Sequence, residues 1–157
     1  MTSAEGQEPL YLRYADQLWP LTNRLAGVHS ALYRGTGGRL GARVPGGKGR
    51  MLLLDHVGAK SGTLRTSPLL YIPDGEDLVM VASKGGFPKH PAWFHNLRAN
   101  PETYVQVGAE RRRVRARVAT AGERERLWGL AVAVWPGYDD YRARADREIP
   151  LVVLEPA

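Results

Sequence analysis

At 157 residues the chain has the length of one domain, and its 43% hydrophobic and 24% charged residues suit a globular protein and exclude a disordered one. It has no cysteine, which excludes disulfides, thiolate metal sites and thiol nucleophiles, so redox chemistry would need a borrowed cofactor. A formal charge of +6 draws anions, whether nucleic acid, an anionic membrane face or a phosphorylated ligand.

From the N-terminus, eight largely polar residues precede an apolar series, Leu18, Leu21, Leu25, Val28 and Leu32, whose steps of three and four predict one face of a helix, with Pro20 in its first turn. Two readings stand for that face: a cover for the core, or a lid or membrane-touching surface. No stretch reaches the roughly 18 apolar residues of a spanning helix and no signal-peptide pattern opens the chain, so a cytoplasmic protein is expected. Seven glycines between residues 35 and 49, with Pro45, predict a mobile loop. This divides the chain into a helix and glycine-rich loop over 1–49 and a compact domain over 50–157.

Arg50 to Val57 reads as a buried strand, Gly58 to Gly62 as a turn, and Leu64 to Ile72 as a second strand in which Pro68 calls for an edge or a bulge. Asp74-Gly75 is a hairpin turn before a third strand over Leu78 to Ala82. A loop, Lys84-Gly85-Gly86-Phe87-Pro88, leads to a short helix opening at Pro91 and ending before Pro101. Thr103 to Val107 and Arg111 to Ala119 are further strands. In the latter Val114, Ala116 and Val118 alternate with Arg113, Arg115 and Arg117. Thr120 and Glu123 form a capping-box pattern that starts a helix running to Trp135, and Ile149 to Leu154 supplies the last strand. Strands joined by short turns, with helices at the ends and in insertions, predict an α+β, mainly antiparallel fold: a small barrel with packed helices and an N-terminal helix.

Several motifs fail. Gly47-Lys48 has Ala42 where a phosphate loop needs glycine, and Gly35-Thr36-Gly37 has Leu40 at the third glycine position of a dinucleotide fingerprint, with no strand before it. The histidines at 29, 56, 90 and 95 lie in no ligand spacing, so no metal is expected. The arginine-striped strand over 111–117 could track phosphates, but without interleaved aromatics it reads better as the solvated face of an edge strand, and no nucleic acid is expected.

Three segments share one chemical theme. Gly58-Ala59-Lys60-Ser61-Gly62 with Arg65, Thr66, Ser67 and Pro68 joins a tight turn to two cations, suited to a phosphate or carboxylate. The run Val81-Ala82-Ser83-Lys84-Gly85-Gly86 lets backbone approach a flat ring, and Pro91-Ala92-Trp93-Phe94-His95-Asn96-Leu97 offers an apolar wall. The alternative is that these turns are plain hairpins and Trp93 and Leu97 the core face of a helix.

With these runs in this order, and with Tyr138-Asp139-Asp140-Tyr141 before Arg147-Glu148-Ile149-Pro150, the chain resembles the deazaflavin-dependent nitroreductase family from about Leu52 to Pro156. The resemblance implies a split β-barrel that binds the 8-hydroxy-5-deazaflavin coenzyme F420 and passes its hydride to a quinone, nitroaromatic or conjugated enone. It implies that Ala59, Lys60, Ser61, Arg65, Thr66, Ser67 and Pro68 line the phosphate and acidic-tail side. Val81, Ala82, Ser83, Lys84, Ala92, Trp93, Phe94, His95 and Asn96 would surround the ring. Trp135, Tyr138 and Tyr141 match positions that close the acceptor pocket in the family, and Tyr138 or Ser83, with Tyr141 beside them, would be the catalytic groups. Ala59 stands where family members typically carry a second basic residue. The N-terminal helix and basic surface suggest peripheral contact with the inner face of the membrane. The rival readings are a flavin mononucleotide enzyme of the same architecture and a non-enzymatic coenzyme- or nucleic-acid-binding protein.

Overall fold

The computed structural model describes residues 24–44, 47–86 and 88–157. Six strands form a closed antiparallel barrel in the order β1-β2-β3-β6-β5-β4. They are β1 (Arg50–Val57), β2 (Leu64–Asp74), β3 (Asp77–Val81), β4 (Glu102–Val107), β5 (Glu110–Val118) and β6 (Leu151–Pro156). Helix α1 covers 24–35 among the described residues. It is followed by α2 (Ala92–Ala99), α3 (Ala121–Val134) and α4 (Gly137–Arg144), with a single 3-10 turn at Lys84–Gly86.

Strand alternation sorts the side chains into two apolar layers. On β3, Leu78 and Met80 point into the barrel, joined by Ala82, while Val79 and Val81 point out; on β6, Val152 and Leu154 point in, and Leu151 and Val153 out. The inner layer is plugged by Trp93, Phe94 and Leu97 of α2. The outer layer is covered by Leu127, Trp128 and Ala131 of α3 and by Tyr138 of α4. These strands read as continuous apolar runs because both faces are buried. Trp128 Nε1 donates to Asp139 Oδ1 at 2.9 Å, fastening α4 to α3.

The capping box at Thr120 and Glu123 is present, with the Thr120 amide donating to Glu123 Oε2 at 3.2 Å. Glu123 also receives Arg117 Nη1 and Nη2 at 3.0 and 3.1 Å, and these bonds hold its carboxyl down at about 2. Pro68 falls in the stretch of β2 paired with β1 alone, since β3 joins β2 only from Ile72, so its missing N–H leaves no ladder position empty on the far side.

Two expectations are corrected. The arginine strand β5 is not an edge: it lies between β4 and β6, and pairing of Leu53 with Gln106 and of Leu54 with Val105 closes the barrel. Its charged face is neutralised instead. Arg113 and Arg115 both pair with Glu102, Arg117 with Glu123 and Glu155, Arg112 with Glu110 and Arg111 with Asp55.

Nor does the apolar stripe of α1 cover the core. Leu25, Val28 and Leu32 are 57%, 59% and 50% exposed; Leu18, Pro20 and Leu21 lie outside the described residues. The inward residue is Tyr33, fully buried, whose hydroxyl donates to the Met51 carbonyl at 3.0 Å and accepts the Gly108 amide at 2.8 Å. Behind it Gly38, at φ +81°, packs so closely on the β4–β5 turn that a Cβ there would come within 2.7 Å of Gly108 Cα. His29 Nε2 meets the Gly41 carbonyl at 2.6 Å, and the Met51 amide donates to the Ala42 carbonyl at 2.7 Å. The glycine-rich segment is thereby stitched to the start of β1.

Candidate functional site

The turn between β1 and β2 carries the first candidate cluster. Its backbone is largely committed to itself: the Gly58 amide donates to the Thr63 carbonyl at 2.8 Å, the Gly62 amide to the Gly58 carbonyl at 2.9 Å, and the Thr63 amide to Ser61 Oγ at 3.2 Å. The Ala59 amide donates to Asn96 Oδ1 at 2.9 Å. Among the described residues, the Lys60 and Ser61 amides of this turn meet no acceptor, so anion recognition falls mainly to side chains. Lys60 and Arg65 are exposed and enter no ion pair among the described residues, in contrast to the paired arginines of β5.

Beneath the turn runs a buried polar chain. Asn96 of α2 turns its Nδ2 toward His56 Nδ1 at 2.9 Å, and His56 Nε2 meets Ser67 Oγ at 2.9 Å. His56 and Asn96 are both buried. Burial, followed by the positive charge of Arg65 facing it across the β1–β2 ladder, pushes the imidazole below its ordinary pKa, against a smaller pull from Asp55. The network therefore holds a neutral ring.

The second cluster lies around the 3-10 turn. Arg147 Nη2 donates to the carbonyls of Ala82 at 3.1 Å, Ser83 at 3.0 Å and Lys89 at 3.3 Å, while Nη1 reaches His90 Nδ1 at 2.8 Å. Lys84 sits at φ +46°, a left-handed conformation that costs a side-chain-bearing residue about 1–2 kcal/mol. Gly86, at φ +81°, faces α4 so closely that a Cβ would come within 3.0 Å of the Tyr141 carbonyl. The turn and α4 are thus one neighbourhood. Tyr138 is buried there, its ring 6.1 Å from that of Tyr141 and 6.4 Å from that of Trp128, and burial drives its phenol far above the ordinary value. Trp135, half-buried, joins the same outer layer.

The structure thus gathers Ala59, Lys60, Ser61, Arg65, Thr66 and Ser67 around one turn and its flanking strands, and joins that turn to α2 through Asn96. Val81 faces Tyr138's layer; Ala82, Trp93 and Phe94 belong to the barrel interior; Ala92 and His95 face solvent. Ser83 is buried beside Lys84, and Pro68 is half-buried. Two residues that sequence reasoning gave no part in the site, His56 and Arg147, hold its two halves. In the sequence His56 stands only as one of four histidines outside any ligand spacing, and the sole hint is its place two residues before the Gly58 turn.

Two cavities lie beside these clusters. One of about 220 Å³ is lined by Arg34, Asp55, Val105, Gln106 and Arg111, with Asp55 bound by Thr66, Arg34 and Arg111 at 2.7, 3.2 and 3.3 Å. One of about 150 Å³ lies between α2 and β5, where Phe94 and Leu97 meet Ala116 and Val118. The chemistry of the turn fits a coenzyme with a phosphate and an acidic tail: two exposed cations without acidic partners among the described residues, a hydroxyl at Ser67, and a backbone stiffened from below.

The family of F420H(2)-dependent quinone reductases matches residues 25–156. The chain is 42% identical over 134 residues to F420H(2)-dependent quinone reductase Rv1261c of Mycobacterium tuberculosis, spanning 83% of this chain and 89% of that protein. Among solved structures, an F420-H2 dependent reductase, FDR-A, has 42% identity and a TM-score of 0.62 over 67% of this chain and 93% of its own. Another, described as a domain-swapped dimer, has 37% identity and a TM-score of 0.66 over 90% of this chain and 98% of its own. With the barrel, the cationic turn and this likeness across most of its length, the chain belongs to the F420H(2)-dependent quinone reductase family, an oxidoreductase family whose cofactor is coenzyme F420.

Proposed function

We propose that the protein reduces a quinone at the expense of reduced coenzyme F420, and that nitroaromatics and conjugated enones serve as further acceptors. The observation that carries this reading is the pair of exposed cations, Lys60 and Arg65, with no ion pair among the described residues, on a turn clamped to α2, in a chain of this family. When bound, the coenzyme supplies a hydride from a ring carbon.

The chain's own residues divide the remaining work. Lys60 and Arg65, with Ala59, Ser61, Thr66, Ser67 and Pro68, bind the phosphate and acidic tail. Val81, Ala82, Ser83 and Lys84, together with Ala92, Trp93, Phe94 and His95, form the ring side, stiffened by Arg147 through the Ala82 and Ser83 carbonyls, while Asn96 stands behind them with its side chain bonded to Ala59 and His56. Tyr138 and Ser83 donate hydrogen bonds to the acceptor oxygen that gains negative charge, with Tyr141 and Trp135 closing the pocket. The raised pKa of Tyr138 keeps its proton in place throughout the physiological range, which suits a hydrogen-bond donor to a developing oxyanion.

The exposed Leu25, Val28 and Leu32 of α1, close to Arg24 and Arg34 in the chain, support a second element of the reading: the protein rests on the inner face of the membrane, where lipid-soluble quinones reside. No described helix is long and apolar enough to cross a bilayer.

Parallel fluorescence titrations with oxidised coenzyme F420 and flavin mononucleotide test the assignment, followed by consumption of the reduced deazaflavin with menadione as acceptor. Saturable binding of the deazaflavin with quinone-dependent turnover is expected. Binding of flavin mononucleotide alone would overturn the reading.

A further inference from the structure

We infer that His56 and Asn96 are positioning residues which lock the Lys60 turn onto α2 and fix the Ser67 hydroxyl as a hydrogen-bond donor toward the phosphate of the coenzyme. This rests on the reading of that turn as the phosphate side.

The argument starts from a group with no choice of role. The Ala59 backbone N–H can only donate, and its partner is Asn96, so the amide oxygen of Asn96 faces the turn at 2.9 Å. The Asn96 NH2 then faces His56 Nδ1 at 2.9 Å and must donate, so Nδ1 is the unprotonated nitrogen of the ring. A neutral imidazole carries its one proton on the other nitrogen, and Nε2 donates to Ser67 Oγ at 2.9 Å. Ser67 therefore accepts from beneath, and its own proton has no acceptor among the described side chains and is free for a ligand. One fixed backbone donor thus sets the role of every group along a path from the turn, through α2 and β1, to β2.

The consequence is a coupling between the two halves of the site. Asn96 sits on the helix that carries Trp93 and Phe94, and its oxygen holds the turn that carries Lys60. The charged neighbours of His56 are Arg65 across the ladder on β2 and Asp55 before it on β1, while α2 contributes the uncharged Asn96. A second proton on the ring would set two donors, the new Nδ1–H and the Asn96 NH2, against each other. Relief by rotating the amide would take the oxygen away from Ala59 and free the turn.

Nitrogen NMR of the histidine rings in the unliganded wild-type chain reads the lock directly: His56 is expected neutral at pH 7 with its proton on Nε2. A proton on Nδ1, or an imidazolium at that pH, would overturn the inference. In Asn96→Asp the carboxylate still accepts from Ala59 but cannot donate to His56, so the titration of His56 is expected to move upward by roughly one pH unit or more. An unmoved titration would count against the lock.

The functional half is read by affinity for oxidised coenzyme F420 against the same deazaflavin bearing only its ribityl chain, without phosphate or tail. Asn96→Ala, which removes the acceptor for the Ala59 amide, and His56→Ala are expected to weaken the phosphorylated molecule about tenfold and the phosphate-free one less than about twofold, the size of one charge-assisted hydrogen bond. His56→Gln, which offers one acceptor and one donor, is expected to restore most of the difference. Equal losses for both molecules would mean a merely structural role and overturn the positioning claim. Wild-type protein that binds neither molecule would sink the coenzyme reading and the Ser67 role with it, while the ring NMR would still decide the lock.

Discussion

Arg147 donates from one guanidinium nitrogen to the Ser83 carbonyl at 3.0 Å and to the neighbouring Ala82 carbonyl at 3.1 Å, so the C-terminal approach to β6 holds the loop that follows β3. The Lys89 carbonyl and His90 complete a fan of acceptors that only a planar fork can span. Burial lowers the guanidinium's pKa, and an arginine side chain keeps its charge in proteins. Arg147→Lys is expected to cost about 1–3 kcal/mol of stability, because one ammonium cannot serve both edges of the fan and leaves carbonyls unsatisfied. Urea denaturation measures it; a midpoint unchanged from wild type would show that the fan carries no weight.

Lys60 and Arg65 stand exposed on the first turn, so their replacement touches affinity and not folding. Lys60→Ala with Arg65→Ala is expected to leave the urea midpoint within about 0.5 kcal/mol of wild type. The same double variant is expected to weaken coenzyme binding about tenfold or more, by a factor that grows with the length of the glutamate tail and shrinks as salt is raised. A loss of the same size for a tail-less coenzyme would remove these two side chains from the tail.

How far the sequence reached can be judged at particular places. β1 was readable because an apolar run between Gly49 and Gly58 has no helical period, and Ile72, Val79 and Val153 were readable as strand residues because both faces of those strands are buried. Helix α4 went unseen: its eight residues carry Asp139, Asp140, Arg142 and Arg144, and only Tyr138 and Tyr141 give it an inner face. Barrel closure was equally hidden: the last strand, β6, pairs along β5 and covers what looked like an edge, and two residue pairs between β1 and β4 shut the barrel. The inward side of α1 was misjudged because its anchor is the polar-tipped Tyr33, beside the leucine stripe and not on it. In the site, the cationic turn was legible from Lys60, Gly62 and Arg65. The His56–Asn96 bond was not, because it joins residues 40 apart that only the fold brings together.

The same histidine gives stability a definite slope with pH. Burial and Arg65 lower the pKa of His56 below its ordinary 6.5, and burial and Arg147 do the same for His90. Below 6.5 the unfolded chain binds protons that the folded chain refuses, so stability rises with pH in this window. The contribution is fully present above about 6.5 and is lost as pH falls toward the folded pKa values, by at most about 1.4 kcal/mol per pH unit for the buried His56. Urea midpoints between pH 5 and 8 are expected to fall on the acid side, with a shallower fall in His56→Gln. A profile flat from 8 to 5 would contradict the neutral ring.

Tyr138 presents its phenol from within the outer apolar layer. Tyr138→Phe keeps the ring packing against Trp128 and Tyr141 and removes one donor. With the oxyanion role proposed above, kcat for quinone reduction is expected to drop about tenfold to a hundredfold, with coenzyme affinity unchanged. Because the phenol stays protonated, the wild-type rate profile should show no limb from its ionisation between pH 6 and 9. Unchanged turnover of quinone, nitroaromatic and enone alike would strip the hydroxyl of that role.

The membrane proposal is tested without disturbing the barrel. Removing the N-terminal helix outright would take away Tyr33, whose hydroxyl bonds both Met51 and Gly108, so a truncation would confuse loss of contact with loss of fold. Leu25, Val28 and Leu32 are each at least half exposed, and changing them to glutamate alters the surface alone. The triple variant is expected to keep the wild-type urea midpoint within about 1 kcal/mol and to lose flotation with anionic liposomes, because it removes apolar insertion and adds three charges of the membrane's own sign. Wild-type flotation that is high salt-sensitive yet unaffected by the triple variant would locate the contact on the basic surface and not on this helix, and absence of flotation in the wild type would remove the membrane from the account.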